Sequence, residues 1–100
     1  MYRLRAGAGE EYDRRHRTVW PEMFELFTDV GIHDYTIWRS DEVVVCSLRT
    51  RESFEQTAVA LRTSDVQARW TASLSDLFER VADDNGQPLW LREVFRWEGA

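Results

Sequence analysis

A chain of 100 residues, 43% hydrophobic, 31% charged and 13% aromatic, has room for one hydrophobic core and no second domain, so residues 1–100 are read as one unit. Apolar stretches such as Val43 to Cys46 fall far short of the roughly 20 residues that cross a bilayer, and MYRLRAGAGEEYDRRH carries no apolar signal core; the expectation is a cytoplasmic protein with no membrane partner. Thirteen basic residues, all arginine, against eighteen acidic ones leave a net charge of −5, which argues against a general affinity for nucleic acid.

Tyr2, Leu4 and Ala6 alternate with Arg3 and Arg5, the period of a short strand, which Gly7 and Gly9 end. From Gly9 the pattern becomes helical, with Glu10/Arg14, Glu11/Arg15 and Asp13/Arg17 at i,i+4 and acidic residues ahead of basic ones along the dipole. Trp20 precedes Pro21 and is pushed away from helical angles. The helix is therefore expected to break or kink there, and a second segment, PEMFELFTDV, to run to Gly31 as its C-cap with Met23, Phe24, Phe27 and Val30 as the buried stripe.

Asp34 to Arg39 and Glu42 to Arg49 read as two strands joined by the polar turn Arg39-Ser40-Asp41-Glu42. Arg51 to Arg62 places Phe54, Ala58 and Leu61 on one helical face. Ser64 followed by Gln67 resembles a capping box opening a further helix with Val66, Trp70, Leu74, Leu77, Phe78 and Val81 inward, stopped by Asn85-Gly86 and Pro88. The remainder, LWLREVFRW, is expected as a last strand, with Leu89, Leu91, Phe95 and Trp97 on one face and Trp90 and Val94 on the other.

The order β-α-β-β-α-β is the α+β, ferredoxin-like arrangement, a four-stranded antiparallel sheet with helices on one face. Large apolar residues on both strand faces, including Trp38 against Tyr35 and Ile37, predict that a second subunit covers the other face. A homodimer forming a dimeric α/β barrel is expected.

Cys46 is alone and cannot form an internal disulfide; inside VVVC it reads as core. His16 and His33 show no HExxH or HxH spacing, and no phosphate loop, GxSxG elbow or nucleotide fingerprint occurs. No metal and no cofactor is expected. His16 lies one helical turn after Tyr12 and one before Trp20, so Tyr12 and His16 project side by side. An imidazole that exchanges protons near neutrality beside a phenol that donates a hydrogen bond is one reading; a surface histidine in the charged string DRRHR is the other. Tyr35 leaves the start of a strand, where it either frames a pocket or packs. Trp70 is equally compatible with core, and His33 with a backbone-bonded junction residue. Together Tyr12, His16, Tyr35 and a tryptophan suit carbohydrate, because aromatic faces stack on the apolar side of a sugar.

Glu11-Tyr12-Asp13-Arg14-Arg15-His16 followed by Trp20-Pro21-Glu22 resembles the EYxRRHxxxWPE signature of the L-rhamnose mutarotase family. Gly31-Ile32-His33-Asp34-Tyr35-Thr36-Ile37-Trp38 is similar to its GxHNYxI segment, and Asp65-Val66, Arg69-Trp70 and Glu93-Val94-Phe95 match its later blocks. The resemblance implies a dimeric ferredoxin-like protein that uses no cofactor and interconverts the α and β anomers of a monosaccharide, L-rhamnose or a related 6-deoxy sugar. It makes His16 the counterpart of the family's proton donor, delivering a proton to the ring oxygen, and Tyr12, Tyr35 and Trp70 sugar-contacting positions. The second tryptophan that often follows the first is here Thr71, which is counted with the substrate-binding positions. The asparagine of HNY is Asp34, and the first strand is shorter than the family's. The base is left open among Tyr12, Asp34 and water. Two other functions keep the same fold: a sugar-binding module without catalysis, and a cofactor-free monooxygenase of the dimeric ferredoxin-like type.

Overall fold

The computed structural model describes residues 1–85 and 89–99. In chain order these form β1 (Tyr2–Leu4), α1 (Gly9–His16), α2 (Pro21–Asp29), β2 (Ile32–Ser40), β3 (Val43–Thr50), α3 (Phe54–Arg62), α4 (Asp65–Leu74), a 3-10 turn (Ser75–Leu77) and β4 (Phe78–Arg80). The strands pair antiparallel in the order β2-β3-β1-β4. The β2–β3 hairpin dominates, running from Ile32 opposite Thr50 to Ser40 opposite Val43. Its tight turn requires a left-handed residue, which Asp41 supplies at φ 49°; a short polar side chain tolerates that region better than a branched one.

Paired residues point to the same side of a sheet. The pairs Tyr35–Leu48, Ile37–Cys46, Tyr2–Val44 and Leu4–Phe78 therefore build one apolar face. The helices pack on it: Leu4 and Val44 are fully buried beneath Tyr12, Leu74 and Leu77. Trp38, paired with Val45, lies on the opposite face and is 55% exposed.

Local signals placed the helix ends well. Trp20 adopts an extended ψ of 137° before Pro21 at the first position of α2, and Gly31 follows α2 at φ +84°. The hydroxyl of Ser64 accepts from the Gln67 N–H at 3.2 Å, and that of Ser53 accepts from the Gln56 N–H at the same distance. Asp13 departs from expectation: it pairs with Arg39 across the fold rather than with Arg17, while Glu11 takes both Arg14 and Arg15. Phe24 is exposed rather than part of the buried stripe, and Thr57, not Phe54, is the buried residue of α3, its hydroxyl donating to the Val30 carbonyl at 3.1 Å.

The C-terminal third departs most. The helix expected to continue to Val81 stops at Leu74; Leu77 is buried in a 3-10 turn, and Phe78 begins a strand. Leu77, Phe78 and Val81 continue the helical spacing, but the outer edge of β1 needs partners. The Leu77 carbonyl accepts from the Arg5 N–H at 2.8 Å, and Phe78 sets its ring edge-on to Tyr2 at 5.5 Å. With that edge taken, Leu89 to Trp97 is not a strand of this sheet: it has no regular structure, and Val94, Phe95 and Trp97 are exposed. Gly86 and Pro88, read as part of the stop signal, lie outside the described residues.

Candidate functional site

Between the apolar sheet face and the helices lies a cavity of about 1070 Å³. All five site candidates from the sequence line it: Tyr12, His16, Tyr35, Trp70 and Thr71. Tyr12 and His16, one turn apart on α1, set their rings 4.1 Å apart at 32°. His16 Nδ1 lies 2.8 Å from the Tyr12 carbonyl oxygen. Trp70, from α4, meets the imidazole edge-on at 5.6 Å and is backed by Trp20 at 5.1 Å. A second aromatic pair, Tyr35 of β2 stacked on Phe27 of α2 at 5.2 Å and 20°, also lines the cavity. A small ligand there would meet aromatic side chains together with the His16 imidazole.

Burial pushes the Tyr12 phenol above its ordinary value, with a smaller contribution from Cys46. Tyr35 is raised for the same reasons in the same order. Both phenols therefore keep their hydrogens at neutral pH. Cys46, half-buried on the sheet face rather than fully within the core, is likewise pushed up by burial. Asp34 sits at the rim and accepts the Thr36 hydroxyl at 2.9 Å, and His33 is exposed beside it.

Gln67 is the residue that sequence reasoning missed. Its side-chain amide donates to the Thr71 hydroxyl at 3.1 Å, so the two form a polar spot in a mostly apolar lining. Read only as half of a capping signal, Gln67 also lies four residues before Thr71, spacing that puts both on one helix face.

α1 is held from both sides. Asp13 accepts two bonds from Arg39 of β2 at 2.7 and 2.6 Å. Arg15 donates to Glu11 at 2.9 Å, to both Asp76 oxygens at 2.8 and 3.1 Å, and to the Ser73 carbonyl at 3.0 Å. Hydrogen bonds from Arg14 and then Arg15 hold the Glu11 carboxyl at about 2, against an ordinary 4.5. Arg39 lowers Asp13, and Arg15 lowers Asp76. Depressed carboxylates stabilise the fold above their unfolded pKa and lose that contribution as pH falls. Thermal stability is therefore expected to decline as pH drops from 4.5 towards 2, and circular-dichroism melts should show a shallower decline in Arg15→Leu. Solvent screening keeps each contribution small.

A family model described as L-rhamnose mutarotase matches residues 1–97. The L-rhamnose mutarotase of Burkholderia ambifaria is 34% identical over 80 residues, which cover 80% of this chain and 77% of that one. That of Sinorhizobium fredii is 32% identical over 93 residues, 93% of this chain and 89% of its own. The crystal structure of L-rhamnose mutarotase from Formosa agariphila covers 97% of this chain and 93% of its own with a TM-score of 0.72 at 22% identity, a likeness of fold.

Proposed function

The chain belongs to the L-rhamnose mutarotase family, and from that premise we propose how its residues carry out the reaction. The activity is the interconversion of the α and β anomers of L-rhamnose, a carbohydrate isomerisation. Neither a sugar-binding module without catalysis nor a monooxygenase is favoured by these relatives. The observation that carries the site assignment is the Tyr12–His16–Trp70 cluster in the wall of the cavity. His16 exchanges a proton with the sugar while the hemiacetal opens and recloses. Trp70 and Tyr35 offer ring faces to the apolar side of the pyranose, Tyr12 orients the imidazole, and Thr71 with Gln67 meets a hydroxyl.

Ring opening consumes no electrons and transfers no group, so positioned proton transfer is the chemistry the site has to supply. Saturation-transfer proton NMR on L-rhamnose, with L-fucose in parallel, tests the reading. Exchange between anomers faster than in buffer is expected for L-rhamnose; exchange at the buffer rate would sink it. The ratio between the two sugars reports on the pocket around C5, where one small substituent is worth about 1–3 kcal/mol.

The sheet order and its antiparallel pairing support a ferredoxin-like reading of the fold. The exposure of Trp38 on the outer face supports a second copy covering it, and the exposed apolar Val94, Phe95 and Trp97 add to the surface available for association. Light scattering at micromolar concentration should give twice the 11.9 kDa of one chain; a single-chain mass would count against the dimer. A cytoplasmic location completes the proposal, in keeping with one unpaired cysteine and with no membrane-spanning helix among the described residues.

A further inference from the structure

The cavity is larger than one sugar ring requires. Its volume of about 1070 Å³ stands just above the roughly 300–1,000 Å³ of pockets that hold drug-sized ligands, and a 6-deoxyhexose has far fewer atoms than those. The Tyr12–His16–Trp70 cluster takes up only part of the lining. Past it the wall continues from the end of α4 through the 3-10 turn to β4, with Ser75, Phe78, Glu79, Arg80 and Val81.

Gln67, Thr71 and Ser75 are spaced four residues apart, so they form one row along α4 and its C-cap, and all three line the cavity. Ser75 keeps helical angles at φ −59° and ψ −28°. At 1.5 Å per residue the row rises roughly 12 Å from end to end, more than one pyranose ring spans. Trp70, the neighbour of Thr71, meets His16 at 5.6 Å and so sets the reacting ring beside the middle of the row. The Ser75 end is left over. There the Ser75 hydroxyl donates to the Ala72 carbonyl at 2.8 Å and keeps its oxygen as an acceptor. Phe78 supplies an apolar ring, joined to the first site by its edge-on contact with Tyr12 at 6.0 Å. Glu79 and Arg80 on the rim, one an acceptor and one a donor, cancel in charge. An aromatic ring among balanced polar groups suits an uncharged polyhydroxyl unit rather than an anion.

We propose that the Ser75–Phe78 end of the cavity is a second sugar subsite, so that the protein also takes a reducing disaccharide, with an L-rhamnose unit at His16 and the unit attached to it against Phe78 and Ser75. The proposal rests on the mutarotase reading above. Only the reducing unit carries a free anomeric hydroxyl. Its hemiacetal opens and recloses as in free L-rhamnose, and the glycosidic bond to the second unit is neither made nor broken. Attachment through a ring hydroxyl away from the anomeric carbon leaves O1 and the ring oxygen free to react.

Saturation-transfer proton NMR on the whole chain tests the subsite with the three L-rhamnosyl-L-rhamnoses linked 1→2, 1→3 and 1→4, read at the anomeric protons of the reducing unit, with L-rhamnose as reference. At least one disaccharide is expected to show catalysed exchange with a kcat/KM no lower than that of L-rhamnose. Ser75→Trp puts an indole at an exposed position in the second part of the cavity. It is expected to lower the disaccharide value by about tenfold or more through steric exclusion, and to leave that of L-rhamnose within about twofold. Melting curves establish that the variant is folded, and Ser75→Leu, a smaller block, takes its place if it is not. Exchange at the buffer rate for all three disaccharides, with L-rhamnose still catalysed, overturns the second subsite and leaves the mutarotase reading standing. A folded block variant that treats disaccharide and monosaccharide alike does the same, since the attached unit then points into solvent or shares the first site. Wild-type protein that catalyses no exchange of L-rhamnose overturns both.

Discussion

His16→Ala is expected to lower the catalysed rate of anomer exchange by about 10²- to 10⁴-fold, the span that one positioned acid or base contributes. Sugars already mutarotate in water, so the readout is the excess over buffer in saturation-transfer NMR, and the loss should fall mainly on kcat. The substitution removes an imidazole at the last residue of α1 that is partly solvent-accessible. Neither the Asp13–Arg39 pair nor the Arg15–Asp76 pair that holds the helix is touched. The melting temperature should therefore stay close to that of the parent, which separates lost chemistry from lost fold. A variant retaining the parental excess rate within a few-fold would remove His16 from the reaction and leave the cavity without its proton carrier.

Leu4→Ala carries the largest expected effect on stability. Leu4 is 0% exposed, sits on the central strand β1 opposite Phe78, and packs with Val44, Tyr12, Leu74 and Leu77. Removing its branched end leaves a hole that sheet and helices close only in part, at a cost of about 2–5 kcal/mol. Each kcal/mol lowers the melting temperature of a domain this size by roughly 4–8 °C. Val59→Ala on the exposed side of α3 is the control, with an expected change within about 0.5 kcal/mol. Comparable melts for the two variants would contradict the placement of Leu4 at the centre of the core. Tyr12 packs on the same cluster, so Leu4→Ala should also loosen the platform on which His16 stands and raise KM in the fraction that remains folded.

The difference between the two variants follows from where their information resides. Tyr12 and His16 were legible as a pair because four residues along a helix is a fixed geometry, independent of everything else in the fold. Trp20-Pro21, Gly31 and Ser64 were legible for a similar reason: a pre-proline residue, a left-handed cap and an N-cap each act within a few bonds. The hairpin followed from alternation on either side of a polar turn. Tyr35 and Trp70 were nameable as candidates, but their meeting across one cavity with Phe27 and Trp20 behind them depends on how α2 and α4 lie on the sheet. Gln67 shows the limit from the other direction, since one residue serves as cap partner through its backbone and as cavity lining through its side chain.

By itself, then, the sequence determined the local elements of the first two thirds, the one-turn pairing of Tyr12 with His16, and membership of the mutarotase family through motifs whose order and spacing recur. The tertiary structure decided which ion pairs form across the fold, as when Asp13 turns from Arg17 to Arg39. It also decided what becomes of the last third. Phe78 to Val81 continues a helical period and Leu89 to Trp97 reads as a strand with apolar residues on both faces, yet Phe78 to Arg80 pairs with β1 and the later segment does not. Periodicity states which side of a segment prefers to be buried; it does not say whether a partner with free backbone hydrogen-bonding groups stands beside it. That vacancy is a property of the whole fold, and here the outer edge of β1 had room for only one claimant.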